Sequence, residues 1–412
     1  MNRVLRPLLA VAAVGTLFAA ASCGGSSSGI TTPSPVANTV TITAGPGPST
    51  ASPLLNGAFV SVTICVPGSA TQCATVPNVL LDTGSTGLRV LASALGSLPL
   101  PNSTSAGATI ANCIQYVDLN YNWGPVALAD VKMAGEVAAS LPIQIIADPT
   151  STFPAAPSSC SNGGAAGNTV GTLSANGLLG VSSYLYDCGS ACAPGTTSNA
   201  GLYYSCSGAA CQVTTVSQAN QVQNPVARFA SDHNGFSVTL PALPDAGLPA
   251  ATGTLTFGIG TQGDNALGSA VVQTPDARGN FTTTFGGASY SSSFIDSGSN
   301  AVFFLDSATS GLPLCTMSPG FYCPTTTQHL TATNTGANNQ SKTVNFTVAN
   351  LDTLPLANWV FDDVAGNSTG GSQSGLPSLY FDWGLPFFFG RTVFVAIDGQ
   401  STPGGFGPYW AY

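Results

Sequence analysis

The sequence predicts a mostly-β protein assembled from two similar halves. Three observations predict it. The stretch Leu80-Leu81-Asp82-Thr83-Gly84-Ser85 has an echo in Phe294-Ile295-Asp296-Ser297-Gly298-Ser299. Short runs of alternating apolar and polar residues recur along the chain, while helix signals are sparse. The segments around each motif follow a similar order in both halves. In each motif an apolar pair reads as the end of a buried strand, and the Asp-Thr/Ser-Gly after it reads as a tight turn. Of sixteen aspartates, only Asp82 and Asp296 are followed by Ser/Thr-Gly. One copy is an ordinary β-turn as readily as a site. Two copies in matching contexts, 214 residues apart, argue for a site.

The elements follow in order. Arg3 and Arg6 precede an apolar run from Leu8 to Ala21, then Ser22-Cys23. A basic start, a short apolar core and small residues describe an export signal, expected over residues 1–22. The run is short for a transmembrane helix. Residues before Cys23 resemble the lipobox of bacterial lipoproteins, with Ala20 where leucine is usual. That resemblance implies acylation of Cys23 and a lipid-anchored location in the cell envelope, at the periplasmic or outer-membrane face. Without acylation the chain would be a plain secreted protein. Residues 23–53, rich in Ser, Thr, Gly and Pro, read as a flexible tether, and Gly24 to Pro53 holds no Lys or Arg.

From Leu54 the pattern is β-rich. Ala58 to Cys65 alternates, Val66 to Ala74 is a turn, and Asn78 to Leu81 is a short buried strand leading into Asp82. Leu88 to Leu91 leaves the turn. Ile114 to Tyr121 and Val126 to Met133 read as arms of a hairpin, with Asn122-Trp123-Gly124-Pro125 as its turn. Leu141 to Ile146 is another strand, and Asn176 to Val181 is a glycine-punctuated apolar stretch. Ser183 to Cys211 reads as a stapled surface loop, and Pro225 to Ala230 as a short helix. Phe236 to Leu240 and Gly253 to Gly260 are strands. The second half repeats the plan, with Tyr290 to Ile295 entering Asp296, Ala301 to Leu305 leaving it, and strands at Thr343 to Val348 and Arg391 to Asp398. Two lobes are expected, 54–250 and 251–412.

Net charge is −9, with eight Lys/Arg and only 6% charged residues. Such a surface has no basic patch for nucleic acid. Apart from Cys23, ten cysteines remain, as expected for disulfides in an oxidising compartment. Cys65–Cys73, Cys188–Cys192, Cys206–Cys211 and Cys315–Cys323 are near enough to close small loops, which leaves Cys113–Cys160 as the long bridge. Cross-pairing among Cys188, Cys192, Cys206 and Cys211 stays open. The same four have zinc-like spacing, but no histidine is near and the chain is exported, so no metal is expected.

Two carboxylates on equivalent turns of two similar halves can meet across a pseudo-twofold axis. Both cannot ionise cheaply, so one keeps a proton and the pair offers a base and an acid at once. That suits direct hydrolysis of an amide by water. Here the chain resembles the pepsin-like aspartic proteases. Val79 to Val90 is similar to that family's first catalytic loop and Phe294 to Ser299 to its second. Leu178-Leu179-Gly180 and Gly384 sit where each lobe packs a glycine segment beside its loop.

The resemblance implies a bilobal pepsin-like acid protease fold, two pseudo-twofold related β-barrel-like lobes with a cleft between them. It implies Asp82 and Asp296 as the catalytic pair, and Thr83, Gly84, Ser85, Ser297, Gly298 and Ser299 as loop supports, with no cofactor. It also implies a flap, with Tyr121 as the match for the family's flap tyrosine and Trp123 as the rival. Arg89 departs from the pattern, standing where the family usually has a tryptophan. No basic prosegment is present. The expected activity is an aspartic endopeptidase acting on polypeptide, as a monomer. The alternative is a non-catalytic peptide- or protein-binding lipoprotein on the same fold.

His233 and His329 lie in polar, loop-like settings and read as surface residues. Gly25-Ser26-Ser27-Ser28-Gly29 matches a nucleophile elbow formally, but it lies in the tether without a strand or helix around it.

Overall fold

The computed structural model describes residues 37–116, 119–149, 151, 153, 155–368 and 379–412. The expected export signal, Cys23 and the start of the tether lie outside the described residues.

Among the described residues strands dominate the regular structure, and the helices are short turns. Its organising unit is a sheet drawn from distant parts of the sequence. Thr39–Gly45 pairs antiparallel with Ala251–Phe257 and with Gly57–Cys65. Ala251–Phe257 pairs with Gly235–Leu240, which pairs with Arg391–Ala396, which pairs with Tyr409–Ala411. The lobe boundary expected between 250 and 251 therefore falls at the edge of a strand in a sheet common to both halves.

Thr39–Gly45 corrects the tether expected over 23–53. Its composition is linker-like, but its period is two. Ile42 and Ala44 are fully buried while Thr39, Thr41 and Thr43 face outward. Burial of alternate side chains and six register pairs with Ala251–Phe257 make it a strand.

Each half then builds the same small motif. In the first, Cys73–Asp82 runs parallel to Gly177–Val181, with Leu81 opposite Leu179 and Asp82 opposite Gly180. Thr86–Leu91 returns antiparallel to Gly177–Val181. In the second, Ala288–Ile295 runs parallel to Phe381–Trp383, with Ile295 opposite Trp383, and Val302–Phe304 returns antiparallel. Val79, Leu80 and Leu81 form an unbroken apolar run because the strand has neighbours on both edges and packing on both faces. The two halves fill their cores differently. Val60, Val62, Ile64, Val90 and Ile143 dominate the first, whereas Phe304, Phe346, Phe381 and Trp383 pack ring against ring in the second.

Three local readings need correction. The hairpin strands are Ala108–Gln115 and Tyr121–Met133, so Asn122 to Pro125 lies inside a strand and is not the turn. Gly124 is there because a Cβ would fall 1.9 Å from the Ile145 carbonyl oxygen of the neighbouring strand. The segment Ser183 to Cys211 is not wholly a surface loop. Its Tyr203–Ser207 is a strand paired with Ala108–Gln115, and Tyr203 and Tyr204 are buried. The short helix expected at Pro225 to Ala230 is a single 3₁₀ turn, Val226–Arg228.

All five disulfides join the cysteines nearest in expectation: Cys65–Cys73, Cys113–Cys160, Cys188–Cys192, Cys206–Cys211 and Cys315–Cys323. They are features of an oxidising compartment. Among the described residues, no helix is long and apolar enough to cross a membrane.

Candidate active site

Asp82 ends a buried strand, and the turn after it points backbone N–H groups at its carboxylate. Gly84 N and Ser85 N donate to Asp82 Oδ1 at 2.9 and 3.1 Å, and the Ser85 hydroxyl donates to Oδ2. The second turn repeats this. Gly298 N donates to Asp296 Oδ1 at 2.8 Å, and the Ser299 hydroxyl lies 3.1 Å from Oδ2.

The two turns are locked to each other. Thr83 N donates to Ser297 Oγ at 3.1 Å, and Ser297 N donates to Thr83 Oγ1 at 2.9 Å. Each hydroxyl in turn donates to a carbonyl just before the opposite aspartate, Ser297 to Leu81 O at 2.7 Å and Thr83 to Ile295 O at 3.4 Å. Thr83 and Ser297 are almost wholly buried, so losing one hydroxyl strands a buried N–H, at a cost of about 1–3 kcal/mol.

This brace brings the carboxyls together. Gly84 N–H donates to Asp82 Oδ1 and also, at 3.1 Å, to Asp296 Oδ1, so one N–H serves both carboxyl groups. Only glycine fits at both turns. A Cβ on residue 84 would lie 2.5 Å from Asp296 Cγ, and one on residue 298 would lie 2.9 Å from Asp82 Oδ1. Behind the turns, Gly180 backs onto Thr86 and Gly87, and Gly384 backs onto Ser299 and Ala301, at distances that admit no side chain.

Packing around Asp296 pushes its proton affinity well above the usual carboxylate range. The negative charges of Asp82 and Asp382 push the same way, against the Gly298 N–H. Asp82 is buried, Asp296 is partly exposed, and Gly84 is open to solvent, so water reaches the pair.

Sequence reasoning missed Asp382. It sits on Phe381–Trp383, and its Oδ2 is 2.6 Å from Ser299 Oγ. A lone carboxylate inside the apolar run Leu379-Tyr380-Phe381-Asp382-Trp383 was the available signal.

The flap candidates, Tyr121 and Trp123, sit at an apolar cluster of the first half. Trp123 is buried among Cys113, Phe153, Cys160 and Tyr204, edge-on to two of those rings, and its Nε1 donates to Phe153 O at 3.3 Å. That ring is part of a core, which removes Trp123 as the residue closing over a substrate. Tyr121 is half-buried beside the same cluster, its strand held by Ala165 and Gly167. Arg89, in the place where tryptophan is usual for the resembled family, is fully buried. It donates to Gln144 at 2.9 Å, to Asp187 at 3.0 Å and to Asn112. Tyr203 donates to the same Asp187. Burial raises the Asp187 carboxyl above its usual range, although Arg89, Tyr203 and Asn112 all favour its charge.

The one cluster of potential metal-ligating atoms among the described residues is Cys315, Cys323 and Asp352, and its two sulfurs are joined in a disulfide.

A β-protein of two related halves, each delivering an aspartate on a braced turn, has the bilobal pepsin-like fold. Among solved structures the chain is similar to the aspartic proteinase from Irpex lacteus, with a TM-score of 0.50 and 15% identity, over 91% of this chain and 96% of that one. By sequence the chain belongs to DUF3443, a family of proteins of unknown function, whose model matches residues 34–412. No curated protein sequence matches it.

Proposed function

We propose that the protein is an aspartic endopeptidase that hydrolyses peptide bonds with a water held by Asp82 and Asp296. The observation that carries this is the Gly84 N–H shared by both carboxyls, with the reciprocal Thr83/Ser297 brace beneath it. Asp296, with its raised proton affinity, holds the shared proton and Asp82 acts as base. Asp82 takes a proton from water as its oxygen attacks the carbonyl carbon, and Asp296 protonates the carbonyl oxygen. Asp82 then passes its proton to the amide nitrogen as the C–N bond breaks, and Asp296 regains its proton from a hydroxyl of the diol.

A soluble form lacking residues 1–23 is expected to cleave denatured protein at acid pH and to be inhibited by a statine-type compound. Asp82→Asn is expected to lower the rate by about a thousandfold or more. Full activity in that variant rules the mechanism out.

We further propose that the mature chain is exported, anchored through a lipid on Cys23, and monomeric. The five disulfides support export, and the sequence around Cys23 supports the anchor. A labelled fatty acid should enter the full-length chain and not Cys23→Ala, and labelling of both would refute the anchor.

A further inference from the structure

The two halves differ at a position that lies one hydrogen-bonded residue from the dyad. Strand register pairs Leu81 with Leu179 and Ile295 with Trp383, so Asp382 occupies the place that Leu178 holds in the first half. Leu178 packs in an apolar cluster with Phe59, Leu80 and Ala175. Asp382 is 3% exposed, and its Oδ1 has no hydrogen-bond partner. A carboxylate buried with one bare oxygen is costly, whereas a neutral carboxyl is much less so.

Ser299 makes the difference consequential. Its hydroxyl has one proton and two carboxyl neighbours, Asp382 Oδ2 at 2.6 Å and Asp296 Oδ2 at 3.1 Å. Ser85 has one carboxyl acceptor, Asp82. If Asp382 were charged, the nearer and more basic oxygen would take the Ser299 proton and leave Asp296 without it. If Asp382 carries a proton, it donates to Ser299 Oγ, and Ser299 is free to donate to Asp296.

We propose that Asp382 is a positioning residue of the dyad, a neutral carboxyl that donates to Ser299 and so aims the Ser299 hydroxyl at Asp296. This rests on reading the centre as a proteolytic dyad. Its environment supports the neutral form. Burial raises Asp382 to about 8, the Asp82 charge pushes the same way, and the Ser299 bond opposes. The titratable groups facing it are Asp296 and Asp82 on the two turns and Tyr380 on its own segment. No cation is among the groups acting on it. As pH rises through its ionisation, Asp382 gains charge, captures the Ser299 proton and withdraws it from Asp296. Activity is then lost on the alkaline side by a second ionisation beyond that of the dyad.

The test is difference infrared spectroscopy of the protonated-carboxyl stretch, which needs no turnover. Between about pH 7 and pH 9 the wild type should lose a band, Asp296→Asn should lose the same band, and Asp382→Asn should show no such change. If Asp382→Asn keeps the wild-type band change, the proposal fails, whatever the activity. In the activity arm, Asp382→Leu should lower kcat about tenfold with KM little changed. Asp382→Asn, whose amide can donate to Ser299, should recover most of that loss and show an alkaline limb one ionisation less steep. Equal activity of Asp382→Leu and wild type across the whole profile would also overturn the assignment. Absence of peptidase activity in the wild type would instead refute the proteolytic reading, while the infrared arm still decides the protonation of Asp382. If the leucine variant does not fold, the asparagine variant alone serves both arms.

Discussion

The turn at Asp82 and the turn at Asp296 share a backbone plan but sit in different surroundings. Both aspartates take a glycine N–H on Oδ1 and a serine hydroxyl on Oδ2, and both turns give and receive one bond in the brace. The first turn is backed by aliphatic side chains and ends its hydrogen-bond chain at Ser85. The second is backed by stacked aromatic rings, and its chain continues through Ser299 into Asp382. A symmetric pair of turns thus carries an asymmetric pair of carboxyls. The geometry of a dyad can be duplicated, while the unequal proton affinities that make an acid and a base come from what stands behind each turn.

The comparison can be broken most strongly through pH. A carboxyl whose folded-state proton affinity is raised makes the folded state bind protons more tightly than the unfolded chain. Stability from Asp382 is therefore fully present below about pH 4, and it is lost as pH rises towards about 8. The expected loss is about 6 kcal/mol for a shift of that size. Denaturant midpoints should fall across this window in the wild type, and Asp382→Leu, which makes the second half like the first, should flatten the slope. A wild-type stability that rises with pH over that range would contradict the neutral carboxyl.

A smaller effect tests the turns themselves. Gly84→Ala places a Cβ 2.5 Å from Asp296 Cγ, whereas Gly298→Ala meets Asp82 Oδ1 at 2.9 Å. Gly84→Ala also disturbs the one N–H shared by both carboxyls. It should reduce kcat/KM about a hundredfold, and Gly298→Ala about tenfold. The reverse order would show that the shared N–H is not the feature holding the pair.

The paired motifs were legible because a braced turn is written locally. Asp-Thr-Gly-Ser and Asp-Ser-Gly-Ser place acceptor, brace, close-approach glycine and supporting hydroxyl in consecutive residues. The disulfides were legible for the same reason, being mostly short loops. What escaped depends on register between distant segments. Asp382 reaches Ser299 only because Phe294 and Ile295 align with Asp382 and Trp383. Asn122-Trp123-Gly124-Pro125 has turn composition, but its glycine answers to Ile145 on the next strand. Thr39–Gly45 hid its alternation inside linker-like chemistry. Arg89 showed as a departure, yet the side chains its guanidinium bonds, Asn112, Gln144 and Asp187, come from three separate segments.

The common sheet also dictates when the molecule can finish folding. Thr39–Gly45 finds its partner in Ala251–Phe257, and that ladder is completed by Arg391–Ala396 and Tyr409–Ala411 near the other end of the chain. Bringing such distant segments together carries a loop-closure cost that nearby contacts cannot offset in advance. A chain emerging N-terminus first would hold its earliest strand without a long partner until residue 257 had followed. The sheet would close only once the last strands were out. Maturation is thereby tied to the arrival of Tyr409–Ala411, and removal of that strand would leave one edge of Arg391–Ala396 unpaired and open to other chains.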